Sequence, residues 1–367
     1  MDAGAGRSIM ERGNRLAGTA YAALDLGTNN CRMLIGTACG DGFRVLDSFS
    51  RIVRLGEGLQ GSGRLSDAAM DRALGALVAC AERLDRRAQP VRALRAVATE
   101  ACRRASNGAE FLARARAASG LQVDIISARE EAELALESCG PLLNGIGRRA
   151  LVFDIGGGST ELGWVRLDEA GQASLIGYVT LPLGVVTLGE RFGHAGFDPE
   201  GYEAMVDHVE ECLAPFDRVH CIAHEIRLGD VGLLGTSGTV TTLAGVAMNL
   251  PRYRRPLIDG AVLEREAAAD AVRQLRGLGR RRLEGHPCVG PERADFVLPG
   301  CAIYEAITRL WPAERITVAD RGLREGILLR MIRADRQKDR RRYPEGIGAP
   351  RLWPRPARSL AGVIAGS

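Results

Sequence analysis

The sequence predicts an α/β protein made of two related halves that face one ligand, and two observations carry that prediction. Residues 22–35 (AALDLGTNNCRMLI) and 151–164 (LVFDIGGGSTELGW) repeat one device: an apolar strand, an aspartate, one apolar residue, glycine, a tight turn and a second strand. At 367 residues and 46% hydrophobic content, the chain is long enough for about two cores.

The first half, expected over residues 19–147 after a flexible 1–18, opens with strands at 20–26, 32–37 and 43–50. The Asp41-Gly42 turn makes the last two a hairpin, so the three form a meander. Residues 56–63 (GEGLQGSG) read as a mobile loop, and Ser66 caps a helix to about Arg87 with Met70, Leu74, Leu77, Val78 and Leu84 on its apolar face. A strand at 91–98, a helix after Asn107 and a strand at 121–126 complete the unit. Ser127 and Glu130 then form a capping box, which leaves Glu131, about 100° further round the helix, without a local partner and free to face a cleft.

Asn144-Gly145-Ile146-Gly147 supplies a hinge, and the second half, expected over residues 148–334, repeats the plan. Strands fall at 150–154, 161–167 and 174–181, with a turn at Asp168–Gly171. Asp198-Pro199 starts a helix. Strand 231–235 runs into GTSGTVTTLAG, where small residues lead straight into a helix and present its N-terminus to an anion. Later helices are expected near 262–276, 291–310 (kinked at Pro299) and 322–334, with a strand at 315–319; the last helix returns to the first half. Residues 335–367 read as a basic Pro/Arg-rich tail; a hold on a polyanion or RNA is one reading, and the blander and favoured one is a solvated extension.

Several chemistries drop out. No run is apolar enough for a membrane span, and residues 1–18 lack the apolar middle of a secretory signal, so the expected address is cytoplasmic. Nine cysteines without a CxxC pair fit reduced thiols. His208, Cys212, His220, Cys221 and His224 have no recurrent metal spacing. A net charge of +4 demands no specific nucleic acid. Gly56 to Gly61 match GxGxxG, but Gly63, Arg64 and Ser66 intervene before the helix, which argues against a dinucleotide site. The only lysine is Lys338, and no GxxxxGK[ST], HExxH or GxSxG is present.

What remains points to phosphate chemistry. Thr28, Asn29 and Asn30 after Asp25, and Gly156, Gly157, Gly158, Ser159 and Thr160 after Asp154, would aim N–H groups and hydroxyls at phosphate oxygens. Ser237, Gly238 and Thr239 add a helix terminus for an anion. Asp25 and Asp154 suit a divalent metal, Glu131 suits a base for water, and Glu161 stands where it can orient metal or water once a hairpin folds it back on Asp154.

With these residues in place the chain resembles the exopolyphosphatase and guanosine pentaphosphate phosphohydrolase (Ppx/GppA) phosphatase family in its short form, over about residues 20–334. LDLGTNN is similar to the family's first phosphate loop, SAREEAEL to its catalytic helix, FDIGGGSTE to its second phosphate loop, GTSGTV to a third, and DRGLREG to its C-terminal signature. The resemblance implies an actin-like, duplicated ribonuclease H-like fold with two domains around a cleft. It also implies Mg2+-dependent hydrolysis of the terminal phosphoanhydride of polyphosphate. Glu131 matches the catalytic glutamate, Asp154 and Glu161 the cleft carboxylates, and Arg103 an arginine on the substrate's phosphates. Asn30 departs from the serine of many members, and the chain lacks the extra C-terminal helical domains of longer ones, so a homodimer is left open. Guanosine pentaphosphate (pppGpp) ends in the same triphosphate-like tail; the 5% aromatic content favours polyphosphate. A kinase or ATP-driven filament on the same fold, and a regulator that binds polyphosphate or pppGpp without turnover, are the readings from other classes.

Overall fold

The repeated strand–turn–strand device becomes the centre of two sheets with one plan. The computed structural model describes residues 19–342 apart from Gln89 and Ala170. In the first sheet β1 (Ala20–Leu26), β2 (Asn30–Cys39) and β3 (Gly42–Ile52) form an antiparallel meander, and β4 (Ala93–Ala98) and β5 (Val123–Ile125) continue from β1 in parallel, giving the order β3-β2-β1-β4-β5. In the second, β6 (Arg149–Ile155), β7 (Thr160–Leu167) and β8 (Ala173–Leu181) repeat the meander. Here β9 (Val231–Thr236) and β11 (Arg315–Ala319) are the parallel strands, and β10 (Val262–Glu264) is added at the edge. This is the actin-like, duplicated ribonuclease H-like fold.

β1 and β6 are central strands covered on both faces, so they read as nearly continuous apolar runs. In each, the residue one short of the end is the less buried position among buried neighbours. Those residues are Asp25 and Asp154. The registers are equivalent too: Asp25 lies opposite Arg32, and Asp154 opposite Glu161.

One core lies in each half. Leu24, Leu26, Met33, Leu77 and Phe111 belong to the first; Phe153, Trp164, Tyr202, Leu243 and Trp311 belong to the second. The helix Ala128–Cys139 sits between the sheets. Its Leu134 packs with Tyr21, Ala23 and Val97 of the first sheet, and its Leu136 and Cys139 pack with Val152, Val165 and Leu234 of the second. The helix Leu323–Arg342 lays Leu323, Ile327, Leu328 and Ile332 on the first sheet.

Several local expectations change. The 56–63 loop contains the short helix Leu59–Ser62, and Gly56 donates its N–H to the Thr28 carbonyl at 2.9 Å, so the GxGxxG letters serve to buttress the first turn. The helix expected from 291 begins at Val297, which puts Pro299 in the first turn where its missing N–H has no intrahelical partner to lose. Residues 262–276 divide into β10 and the helix Arg265–Arg276. The last helix continues to Arg342, eight residues beyond the expected 334; residues 343–367, most of the basic tail, lie outside the described residues, as do 1–18. Among the described residues no helix is long and apolar enough to cross a membrane.

Candidate active site

The two aspartate turns close on one another. Within each, the first glycine donates its N–H back across the turn, Gly27 to the Asn30 carbonyl and Gly156 to the Ser159 carbonyl, both at 2.9 Å. Behind them, backbone N–H groups occupy the turn carbonyls: Val53 and Arg54 bind Asn29, Val185 binds Gly156, and Val186 binds Gly157. With the carbonyls held from outside, the turns offer N–H groups and side chains to the space between them. That space is a cleft of about 450 Å³ lined by Asp25, Glu131, Asp154, Glu161, both turns and the 237–239 helix start.

Glycine is required where the turns meet. A Cβ at Gly158 would stand 2.5 Å from Thr28 Oγ1, and one at Gly157 3.1 Å from Asn29 Cβ. Ser237, at the third anion position, adopts φ 103° and ψ 172°, a backbone region that side chains rarely tolerate. Its buried Oγ has no hydrogen-bond partner, and neither has Asn29 Oδ1. Unpaired buried polar atoms facing a cleft are groups prepared for a ligand.

Glu131 is brought in by its helix cap. Ser127 Oγ accepts from the Glu130 N–H at 3.1 Å, which starts the helix; the return half of the expected capping box is absent, because the Glu130 carboxylate pairs with Arg95 instead. Glu131 Oε2 accepts one hydrogen bond, from Arg103 Nη1 at 3.1 Å. Burial pushes the Glu131 carboxyl up to about 7, with Arg103 opposing and Asp25 and Asp154 adding to the rise. Asp154 is raised to about 6 by burial, against Arg32 and with Asp25. Asp25 is raised by burial, opposed by Arg32 and Arg324. Glu161, whose Oε1 accepts from Ser159 Oγ at 2.5 Å, is raised well above its ordinary range by burial and by Glu131 and Asp154.

The site therefore gathers repelling carboxylates in a buried place, a donor set of hard oxygens that wants more positive charge than the arginines supply. Asp25 and Asp154 fit a magnesium ion, which characteristically takes one or two carboxylates and completes its shell with water and phosphate oxygens. No group of three or more His, Cys, Asp or Glu side chains spaced to hold a metal occurs among the described residues. In the zinc-type series, His208 Nε2 meets Arg191 Nη1 at 2.8 Å and His220 stacks edge-on to Phe216.

Not every expected residue faces the cleft. Thr160 is fully buried and its hydroxyl is committed to the Leu183 carbonyl at 2.7 Å, which ties the start of β7 behind the turn. Arg103 does not line the cleft wall; it reaches the site through Glu131. Conversely, Arg32, Tyr253, Arg293 and Phe296 line the cleft without having been singled out in the sequence, and Arg324 joins them from the DRGLREG segment. Arg32 was findable: it stands seven residues after Asp25, as Glu161 does after Asp154.

Comparison with known proteins places the fold. An exopolyphosphatase from Cytophaga hutchinsonii superposes with a TM-score of 0.76 at 26% identity, covering 86% of this chain and 98% of that one. An exopolyphosphatase-like protein gives 0.75 at 27% identity, covering 85% and 97%. An Aquifex aeolicus member of the Ppx/GppA family gives 0.71 at 25% identity, covering 86% and 98%. The model of the Ppx/GppA phosphatase family matches residues 36–335, and the chain belongs to that family.

Proposed function

We propose that this phosphatase is an exopolyphosphatase, releasing orthophosphate from the end of inorganic polyphosphate with Mg2+ held by Asp25 and Asp154. The observation that carries the reading is Glu131: a carboxylate lining the same cleft as both turns, with one hydrogen bond among the described residues, from Arg103. In this reading the N–H groups of the 28–30 and 156–159 turns, with Ser237 to Thr239, bind the terminal phosphates. Arg103 holds Glu131 in place, and Glu131 takes a proton from the attacking water. Glu161, hydrogen-bonded to Ser159, fixes the second turn and presents its other oxygen to water or metal. A bound magnesium ion would neutralise phosphate oxygens and draw charge from the leaving group. Arg32 and Arg324, near the aspartates, and Arg293, near Gly238, supply positive charge in the cleft, which suits a polyanion.

A second substrate has an observation of its own. Tyr253 and Phe296 line the cleft and provide the aromatic surface that a nucleoside needs, so the pppGpp 5′-phosphohydrolase reading stands beside the first despite the sparse aromatic content. The carboxylate set favours turnover over a purely regulatory binder.

Orthophosphate release from polyphosphate, pppGpp and ATP, measured side by side with Mg2+, tests the reading. Polyphosphate is expected to be the best substrate, and Glu131→Gln is expected to lower kcat by about 100-fold or more while the variant still binds polyphosphate. Undiminished release by the Gln variant removes Glu131 from the role of base; faster release from pppGpp exchanges the two substrates.

A further inference from the structure

Behind Glu131 stands a second carboxylate that no part of the reaction described above uses. Glu100 opens the short helix Glu100–Arg104 directly after β4, where the Thr99 N–H is tied to the Leu26 carbonyl at the end of β1. Glu100 is buried, and one of its oxygens, Oε2, accepts from both Arg103 Nη2 at 2.7 Å and Arg103 Nε at 3.2 Å. The remaining nitrogen of that guanidinium, Nη1, donates to the Ile126 carbonyl at 2.9 Å and to Glu131 Oε2 at 3.1 Å. The other face of Glu100 is 3.8 Å from Arg104 Nε, and Arg104 Nη2 is held by Gln60 at 3.1 Å.

All three nitrogens of Arg103 are thus assigned, and the assignment has a direction. A guanidinium left alone with one carboxylate prefers the forked, bidentate pairing, which would draw both oxygens of Glu131 onto arginine. Such a pairing forms on the Nε–Nη2 edge or on the Nη1–Nη2 edge; Glu100 fills the first and draws Nη2 away from the second, while the Ile126 carbonyl takes part of Nη1. Side-chain exposures of 11% for Glu100, 17% for Glu131 and 21% for Arg103 make the contest between the two acids a poorly screened one.

We propose that Glu100 is a positioning residue for the reaction: by holding the Nε and Nη2 edge of Arg103 it limits that guanidinium to a single contact with Glu131, leaving the second Glu131 oxygen aimed at water in the cleft. The inference rests on Glu131 being the base. Asp25, Asp154 and Glu161 face Glu131 from the two sheets, and none of them can replace Glu100, because none has a hydrogen bond to Arg103.

Steady-state kinetics on polyphosphate with Mg2+, for wild type, Glu100→Gln, Glu100→Asp, Arg103→Ala and the Glu100→Gln/Arg103→Ala pair, tests it. Glu100→Gln is expected to lower kcat by about 10-fold with KM within about twofold, since it misplaces a catalytic group without touching substrate. Glu100→Asp, which keeps the charge, should retain an intermediate kcat. In the Arg103→Ala background the Gln substitution should cost nothing further, because Glu100 acts only through Arg103. An additive loss in the pair, a change confined to KM, or an unchanged kcat in Glu100→Gln overturns the proposal while leaving Glu131 as base. Full activity of Glu131→Gln, or no phosphate release by wild type, overturns both.

Discussion

At Glu131 the burial that makes a useful base also opposes folding of the ionised protein. Its folded pKa of about 7 lies above the unfolded value of 4.5, so the contribution to stability is fully present below about pH 4.5 and is lost as pH rises through about 7. Activity runs the other way, since a base must be ionised: kcat should rise with pH through an acid limb near or below about 7. Glu131→Gln should therefore be more stable than wild type at pH 8, by about 1–3 kcal/mol, with the difference closing toward pH 5. Thermal unfolding of both proteins at the two pH values checks this; a Gln variant less stable at pH 8 would mean that the Arg103 pairing outweighs burial. This residue was legible because Ser127 and Glu130 identify the helix start, which leaves Glu131 over. Arg103 as a partner of Glu131, and Glu100 behind it, were not legible, because nothing local in ATEACRRASNG says which acid the arginine meets twenty-eight residues later. Thr160 failed for a related reason: inside a strand end, one position separates a hydroxyl facing ligand from one facing the core.

The helix 128–139 that carries Glu131 is packed against a second helix. Helix 323–342 crosses it so closely that a Cβ at Gly326 would stand 1.9 Å from the Leu134 carbonyl oxygen. Arg330 adds bonds of 2.5 and 2.9 Å to Glu137 on the same neighbour. Gly326→Ala must separate the helices, and a backbone carbonyl cannot swing aside as a side chain can. A destabilisation of about 1–3 kcal/mol is expected, together with a fall in kcat out of proportion to the distance from the cleft. Ser127→Ala, which removes only the cap, should cost about 1 kcal/mol. Equal kcat in Gly326→Ala and wild type would show that the helix pair does not hold Glu131. At this scale the central strands were the legible part, since strands buried on both faces declare themselves as apolar runs between glycine turns; the three-residue edge strand β10 was not, because it runs straight into a helical pattern. The short helices Val185–Phe192 and Ile222–Leu228 were not, because segments of seven or eight residues carry too few turns to set a period. The first of these mattered, as its N-terminal N–H groups hold the Gly156 and Gly157 carbonyls.

In the whole molecule the chain crosses between the halves and comes back. Helix 128–139 packs on both sheets, and helix 323–342, which follows the last strand of the second sheet, buries its apolar residues on the first. The duplication was legible because one strand–turn–strand device occurs twice with the same Asp-to-partner offset; the closeness of the two turns was not, since it depends on Gly157 and Gly158 lying against Asn29 and Thr28 from the other half. A ligand that occupies both turns therefore joins the two sheets and should stabilise them together. The Glu131→Gln protein, which keeps the cradle and lacks the base, can be saturated with Mg2+ and polyphosphate without consuming it. At a ligand concentration of about 100 Kd the gain is about 2.7 kcal/mol, or roughly 3–4 °C in Tm for a protein of this size. The expected melt is a single transition that moves as one, and the shift should be lost when Gly158→Val fills the space beside Thr28. Two transitions of which only one responds to ligand, or an undiminished shift in Gly158→Val, would mean that the phosphates are held by one half alone.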